Sequence, residues 1–389
     1  MPVYADAADR RCIQALHWAL PQLRQRAKAV FVRQPLLDPL LPDTADIDLL
    51  AFGDVPALLP ERLWPPDAPP VDIIWLPAAM LEDAQRLARW GLIAHRLAGS
   101  APIFHCDERS LQGAEQAVAQ LRTPSIQAAR LNGIFEMGWA TVYEIGVSWD
   151  FPSLARLWLQ IAWSALLAVA ADAAGRLAPN VYTRPFDALA SIDPPIGTRL
   201  AAFAPHLQLD TKAVEALIAA TDRLHTCVTR SFPEPQWPAG YRADTAQEYR
   251  YYASRRELDW RLGVVREMLA REQQQAAVAY LRFWAYSLAR IPVVHDCALH
   301  NIDTAFGRPL RPMRAELERL CPPALEELQT VLGADCQRAQ IEQALPQLTE
   351  LRDAVIDDAI GRDIPLGRPR PWAPWRAEAH PPSRSASSP

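Results

Sequence analysis

Glycine is scarce in this chain, with 15 among 389 residues against 36 prolines, and none falls between Met1 and Phe52. That scarcity removes whole classes of chemistry. No G-x-G-x-x-G, Walker A or G-x-S-x-G pattern is present, so the dinucleotide, P-loop and serine-hydrolase readings lose the turns that bring backbone N–H groups to a phosphate or an oxyanion. The six cysteines are scattered without a C-x-x-C pair, which argues against a paired zinc site or a disulfide framework. Neither sign of charge dominates: 40 Lys and Arg face 45 Asp and Glu, a net charge of -5 that gives no broad pull toward nucleic acid or an anionic membrane. The first residues lack a signal peptide's charged, apolar and small-residue order, so a reducing cytoplasm is the expected location.

What is present is ample apolar material, 50% of the chain, with 22% charged, the composition of a folded globular protein. The longest apolar run, Leu157 to Ala171, is interrupted by Gln160 and Ser164 and followed by Asp172. It falls short of the ~20 residues that span a bilayer and is expected to be a buried core helix. From Leu366 to Pro389 the chain is rich in proline, serine and arginine, and residues 363–389 are expected to form a disordered tail.

Between these limits the pattern changes once. Asp6 to Lys28 has helical periodicity, and Val30-Phe31-Val32 follows as a β-branched and aromatic run. Asp46-Ile47-Asp48-Leu49-Leu50-Ala51-Phe52 reads as a strand stopping at Gly53-Asp54, and Val71-Asp72-Ile73-Ile74-Trp75-Leu76 as another, separated from it by the proline-rich stretch 56–70. A helix near Ala79 to Ala98 and the run Ile103-Phe104 complete a small mixed sheet. Beyond Asp107 the segments are of helical period, with prolines 233, 235 and 238 crowding one junction. The fold class is α+β: a small mixed-sheet domain over 1–107, then helical regions over 108–240 and 241–362.

The chemistry concentrates in three carboxylates. Asp46 and Asp48, one residue apart on a strand, project from the same face. Asp72 places a charge second in an otherwise apolar strand. Two or three such oxygen donors suit Mg²⁺, which shares its octahedral sphere with substrate phosphates. The bland alternative for each is an edge charge or turn acceptor. Other clusters are weaker. Arg250, Arg255, Arg256, Arg261, Arg266 and Arg271 alternate with Glu248, Glu257, Asp259, Glu267 and Glu272, which usually marks a solvated, ion-paired face, although some of these arginines would suit an anionic ligand. Glu136 and Glu144 stand out on an apolar helix, where a place on the helix surface is the ordinary reading and a base for an acceptor hydroxyl the sharper one; His295-Asp296-Cys297 with His300 is a single metal-type cluster where structural zinc needs four ligands.

Asp-Ile-Asp-Leu-Leu, followed after a connection by Val-Asp-Ile-Ile-Trp-Leu-Pro, resembles the polymerase-beta-like nucleotidyltransferase superfamily, most closely in the style of its minimal and antibiotic-modifying branches. The resemblance covers about residues 7 to 107. It implies that Asp46, Asp48 and Asp72 are metal ligands and catalytic residues, with Asp72 on the acceptor side of a two-metal phosphoryl transfer. It further implies Mg²⁺ as cofactor, a nucleoside triphosphate such as ATP as substrate, and a hydroxyl on a small molecule or protein as acceptor; a nucleic-acid acceptor stays open. The family's Gly-Ser after the first strand is missing. Val32 is followed by Arg33-Gln34-Pro35, which makes Arg33 the candidate phosphate contact by charge. The same departure supports an alternative, a catalytically degenerate nucleotidyltransferase-like domain that acts as a binding or interaction protein.

Overall fold

The structure is a computed structural model. It describes residues 7–33, 46–55, 59–176, 185–190, 192–207, 213–232, 249–300, 304–305, 308–309, 313–333 and 336–367. Its fold is α+β, a five-stranded mixed sheet in the N-terminal part followed by many helices.

The sheet is assembled from β1 (Ala27–Arg33), β2 (Ile47–Gly53), β3 (Leu59–Leu63), β4 (Val71–Pro77) and β5 (Ser100–His105), in the spatial order β3-β4-β2-β1-β5. β2 and β4 run parallel and the other neighbours antiparallel. Alternation along β2 and β4 divides the side chains between two cores. Ile47, Leu49, Ala51, Val71, Ile73 and Trp75 pack with Ala15, Ala19 and Leu23 of α1 (Ala7–Leu23). Leu50, Phe52 and Leu76 face α2 (Ala84–Ala88), α3 (Gly91–Ala98) and α4 (Glu108–Leu121). The helix expected from 79 to 98 is therefore divided: a 3₁₀ turn over Ala78–Glu82 precedes α2, and a turn at Arg89-Trp90 separates α2 from α3.

β3 is an element that the proline-rich stretch concealed. It is a short edge strand, and Pro60 within it is tolerable because an edge position does not need every N–H for the ladder.

The helical part contains α5 (Pro124–Val147), α6 (Pro152–Ala173), α7 (Pro185–Leu189), α8 (Ile196–Phe203), α9 (Val214–Ser231), α10 (Arg255–Ala270), α11 (Gln274–Leu299), α12 (Met313–Leu320), α13 (Pro322–Leu332) and α14 (Arg338–Gly361). α6 is its axis. This helix is apolar and long enough to cross a membrane by composition, yet all of its apolar window is packed inside the protein. Residues from Ala128 to Leu366 belong to one buried cluster, so helices on both sides of residue 240 share apolar contacts. Ile364 and Leu366 are buried in it, and Gly367 N donates to Asn132 Oδ1 at 3.1 Å. Residues 363–367, assigned to the tail from composition, are thus packed because two aliphatic side chains find places in the core. The rest of the expected tail, 368–389, lies outside the described residues.

The sheet domain meets the helical part through a close crossing of α3 on α5. A Cβ on Gly91 would lie 2.6 Å from Gly133 C and 2.7 Å from Ile134 N, backbone atoms that cannot swing aside. Gly91→Ala is expected to cost about 1–3 kcal/mol by forcing the two helices apart, as overpacking does. A thermal melt followed by circular dichroism tests this; an unchanged Tm would mean that the crossing yields freely.

Candidate functional site

Strand register builds the site. Arg62 on β3 lies directly opposite Asp72 on β4, and Asp72 lies opposite Asp48 on β2. Cross-strand partners share a face, so Arg62, Asp72 and Asp48 form a row across three strands, with Asp46 one step before β2. The row lies on the face that carries Leu50, Phe52 and Leu76 toward the helices.

Asp46 and Asp72 are brought together, and a guanidinium joins them. Arg62 Nη2 donates to Asp46 Oδ2 at 2.8 Å, and Nε and Nη2 grip the two oxygens of Asp72 as a fork, the strong bidentate geometry. Nη2 also donates to the Tyr251 hydroxyl at 2.7 Å, while Nη1 lies 3.0 Å from Glu257 Oε2. The rings of Trp260, Tyr251 and Trp64 lie around the same guanidinium, with Cζ 4.6, 4.7 and 5.5 Å from their centroids, which adds cation–π attraction. Arg62 is only 5% exposed and Glu257 1%, whereas Asp46 and Asp72 keep 30% and 25% of their side-chain surface open.

The second wall comes from the helical part. Ser254 caps α10 by accepting the N–H of Glu257, which sets Glu257 in the first turn; its carboxylate points to the arginines instead of back to the cap. Arg261, one turn on, donates through Nε to Glu257 Oε1 at 2.5 Å and through Nη1 to the Tyr280 hydroxyl. Of the arginines in the mixed-sign run, Arg261 turns to the acid cluster, through Glu257. Arg255 and Arg271 stay on the surface in ion pairs with Asp222, Asp259 and Glu267.

Three carboxylates, Asp46, Asp72 and Glu257, thus face two guanidiniums, Arg62 and Arg261, which leaves one excess negative charge if all are ionised. The protonation pattern follows from that imbalance. Burial pushes Asp72 up to about 7, against the pull of Arg62 and with the help of the Asp46 charge. Burial also pushes Glu257 up, to about 9, again against Arg62, with Asp72 and Asp46 adding to the rise. Burial acts on Asp46 in the same sense, but Arg62, Arg261 and the hydrogen bond with Asp72 outweigh it and hold its carboxyl below the ordinary 3.8. Asp72 and Glu257 therefore each hold a proton above the ordinary carboxylate range, and on the touching pair Asp46 and Asp72 that proton belongs to the pair.

The folded state binds these protons more tightly than the unfolded chain, whose carboxyls titrate near 3.8 and 4.5. Stability from these groups is greatest at the acid end of that window and is lost as pH rises toward about 7 for Asp72 and about 9 for Glu257. The metal-free protein should accordingly melt at lower temperature at each step from about pH 5 to about pH 9. Asp72→Asn removes one of the two raised groups and should make the profile less steep below about pH 7. A profile of equal slope in wild type and variant would take Asp72 out of this linkage.

The remaining sequence candidates distribute as follows. Asp48 stands beside Asp72 in register but leans to Arg96, whose Nη1 is 3.8 Å from its Oδ1. Arg33 closes β1 opposite Ser100; its side chain lies outside the described ones. Glu136 is exposed and Glu144 buried on α5. Asp296 accepts from Arg319 Nη2 at 2.6 Å and lies 3.6 Å from His300 Nδ1. Among the described residues no three His, Cys, Asp or Glu side chains are grouped to hold a metal ion, because the acid pair Asp46–Asp72 closes on Arg62 and Asp48 turns to Arg96.

Known proteins add nothing to this geometry: no family model matches the chain, and no curated protein matches it.

Proposed function

We propose that the chain is a Mg²⁺-dependent nucleotidyltransferase that moves a nucleoside monophosphate from a triphosphate such as ATP to a hydroxyl of a small-molecule or protein acceptor. The observation that supports this reading is the convergence of Asp46 and Asp72 on one positive charge, with Asp48 beside Asp72 on the same face. The donor types suit a hard cation, although only Asp46 and Asp72 meet at one point, which the Arg62 guanidinium fills, and Asp48 leans to Arg96. Asp46, Asp48 and Asp72 would hold Mg²⁺, which supplies polarisation of the triphosphate and of the attacking oxygen. Asp72, as the ligand on the acceptor side, would help to activate the attacking hydroxyl. Tyr251, Trp260 and Tyr280 of the helical part would exclude water from the reacting groups.

The test pairs binding with turnover. ATP with Mg²⁺ should raise the Tm, since a ligand that binds only the folded state stabilises it, and ATP without the metal should do so less. Asp46→Asn and Asp48→Asn should abolish transfer from a labelled triphosphate while leaving the circular dichroism spectrum intact. Protein that binds neither Mg²⁺ nor any triphosphate by calorimetry would defeat the reading.

One observation favours a second reading. Arg62 is held by three carboxylates and a tyrosine hydroxyl, and no glycine precedes Gly53 to form a phosphate-binding turn. Both features suit a nucleotidyltransferase-like binding module that works without metal. Triphosphate binding with no transfer to a broad panel of acceptors would favour it.

A further inference from the structure

The sheet domain is joined to the helical part at two places built in different ways. At the first, α3 crosses α5 so closely that Gly91 and Gly133 meet backbone to backbone, and Ile126 of α5 enters the apolar core beneath α2 to α4. Asp172 of α6 ties the same junction, with Arg130 of α5 and His95 of α3 on its carboxylate. Close-packed backbone of this kind does not part without breaking the core. At the second, β3 and Trp64 just after it reach the helical part by side-chain ends: Arg62 to Glu257 and Tyr251, the Trp64 ring to Trp260 with centroids 6.3 Å apart, and Arg256 over the Trp64 ring at 4.4 Å. No backbone–backbone hydrogen bond joins β3 to α10 among the described residues. Water also reaches the rim of this junction, where Asp46 and Asp72 stay partly open, and regions held by few apolar contacts are the ones that open locally.

We infer that β3 and the first turn of α10 form a releasable clasp, closed in acid and neutral solution, that in alkaline solution lets the sheet edge part from α10 about the fixed α3–α5 crossing and bares the acid face of the sheet. The groups that meet in it are Asp46 before β2, Asp72 of β4, Arg62 of β3, Glu257 and Arg261 of α10, and the hydroxyls of Tyr251 and Tyr280. Glu257 changes surroundings most on release. Closed, it is buried against Arg62, and burial raises its carboxyl to about 9; in water it returns toward 4.5. Closing therefore takes up a proton, so the contribution of Glu257 to the clasp is full below about 4.5 and is lost as pH rises toward about 9. The device does not depend on what the acid face binds.

Modification of arginines in the full chain by phenylglyoxal, read peptide by peptide by mass spectrometry at about pH 7 and about pH 9, tests the clasp. Arg62, 5% exposed, reacts only while the clasp is open. Exposed Arg230 supplies the reagent's own pH dependence, and Arg130, buried beside Asp172, reports global unfolding. Relative to Arg230, modification of Arg62 should quicken at least about ten-fold between the two pH values while Arg130 stays unmodified. Glu257→Gln, neutral at both values and close in shape to the protonated acid, should lose most of that acceleration. Arg62 keeping pace with Arg230 would mean that no clasp releases, and Arg62 and Arg130 becoming reactive together would mean that the whole protein unfolds; either result overturns the inference. An undiminished acceleration in Glu257→Gln would overturn it too, because the proton that holds the clasp would not be on α10.

Discussion

Arg62→Ala is expected to lower the unfolding free energy by about 3–5 kcal/mol, the cost of breaking a buried ion pair by removing one partner. The loss comes less from missing attraction than from what stays behind. Asp46, Asp72 and Glu257 would share Arg261 alone, and Glu257 is 1% exposed, too deep for water to take over. Urea unfolding followed by circular dichroism measures it. The mechanism predicts strong non-additivity: Asp72→Asn in the Arg62→Ala background should recover part of the loss, because it removes a charge that no longer has a partner. A loss under about 1 kcal/mol would place the cluster with exposed surface pairs, whose worth is of that order.

Asp172→Ala should be about as damaging, on the order of 3–5 kcal/mol, for the same physical reason at a different place. Asp172 lies on α6, with both carboxylate oxygens taken by Arg130 of α5, Oδ1 also accepting from Gln127 Nε2 at 3.1 Å, and His95 Nδ1 of α3 at 2.8 Å from Oδ2. Burial works against its charge, but the hydrogen bond from His95 and the Arg130 guanidinium hold its carboxyl below the ordinary value. Alanine would strand Arg130, itself 1% exposed, in an apolar interior. Asp172→Asn, which keeps the shape and one acceptor oxygen, should fall between wild type and alanine in Tm; an alanine variant as stable as wild type would show that water reaches Arg130.

Much of this was legible in the sequence, for reasons tied to periodicity. Val71 to Leu76 and Ile47 to Phe52 are apolar on both faces, as strands covered on two sides must be, and the acids at their starts stood out because charge is expensive there. Leu157 to Ala171 is apolar around its whole circumference, which suits a helix with neighbours on every side. β3 was not legible. Leu-Pro-Glu-Arg-Leu is short, contains a proline and sits among others, so the residue that organises the site was hidden in what looked like a connection. Glu257 and Arg261 were visible only as members of a mixed-sign run, whose ordinary meaning is a solvated face. Nothing in their local pattern marks the first turn of α10 as the one that meets the acids of the sheet, because the partner that draws it in lies 195 positions earlier, at Arg62. Tyr251 has the same difficulty: its ring and hydroxyl are spent on a guanidinium 189 residues away.

That long separation has a consequence for the order in which the chain becomes itself during synthesis. The sheet, α1 to α4 and both acids that Arg62 grips are complete once about a third of the chain has emerged, and domains generally fold as they appear, N-terminal part first. In a sheet domain folded at that stage, Arg62 would balance Asp46 and Asp72 on an edge strand that the later helices had not yet covered. Tyr251 and Glu257 arrive well over a hundred residues later and bury a charge pattern that is already set. If the sheet domain folds as it emerges, its acids are already paired with their own arginine when α10 and α11 arrive to cover them, before the last three helices are made.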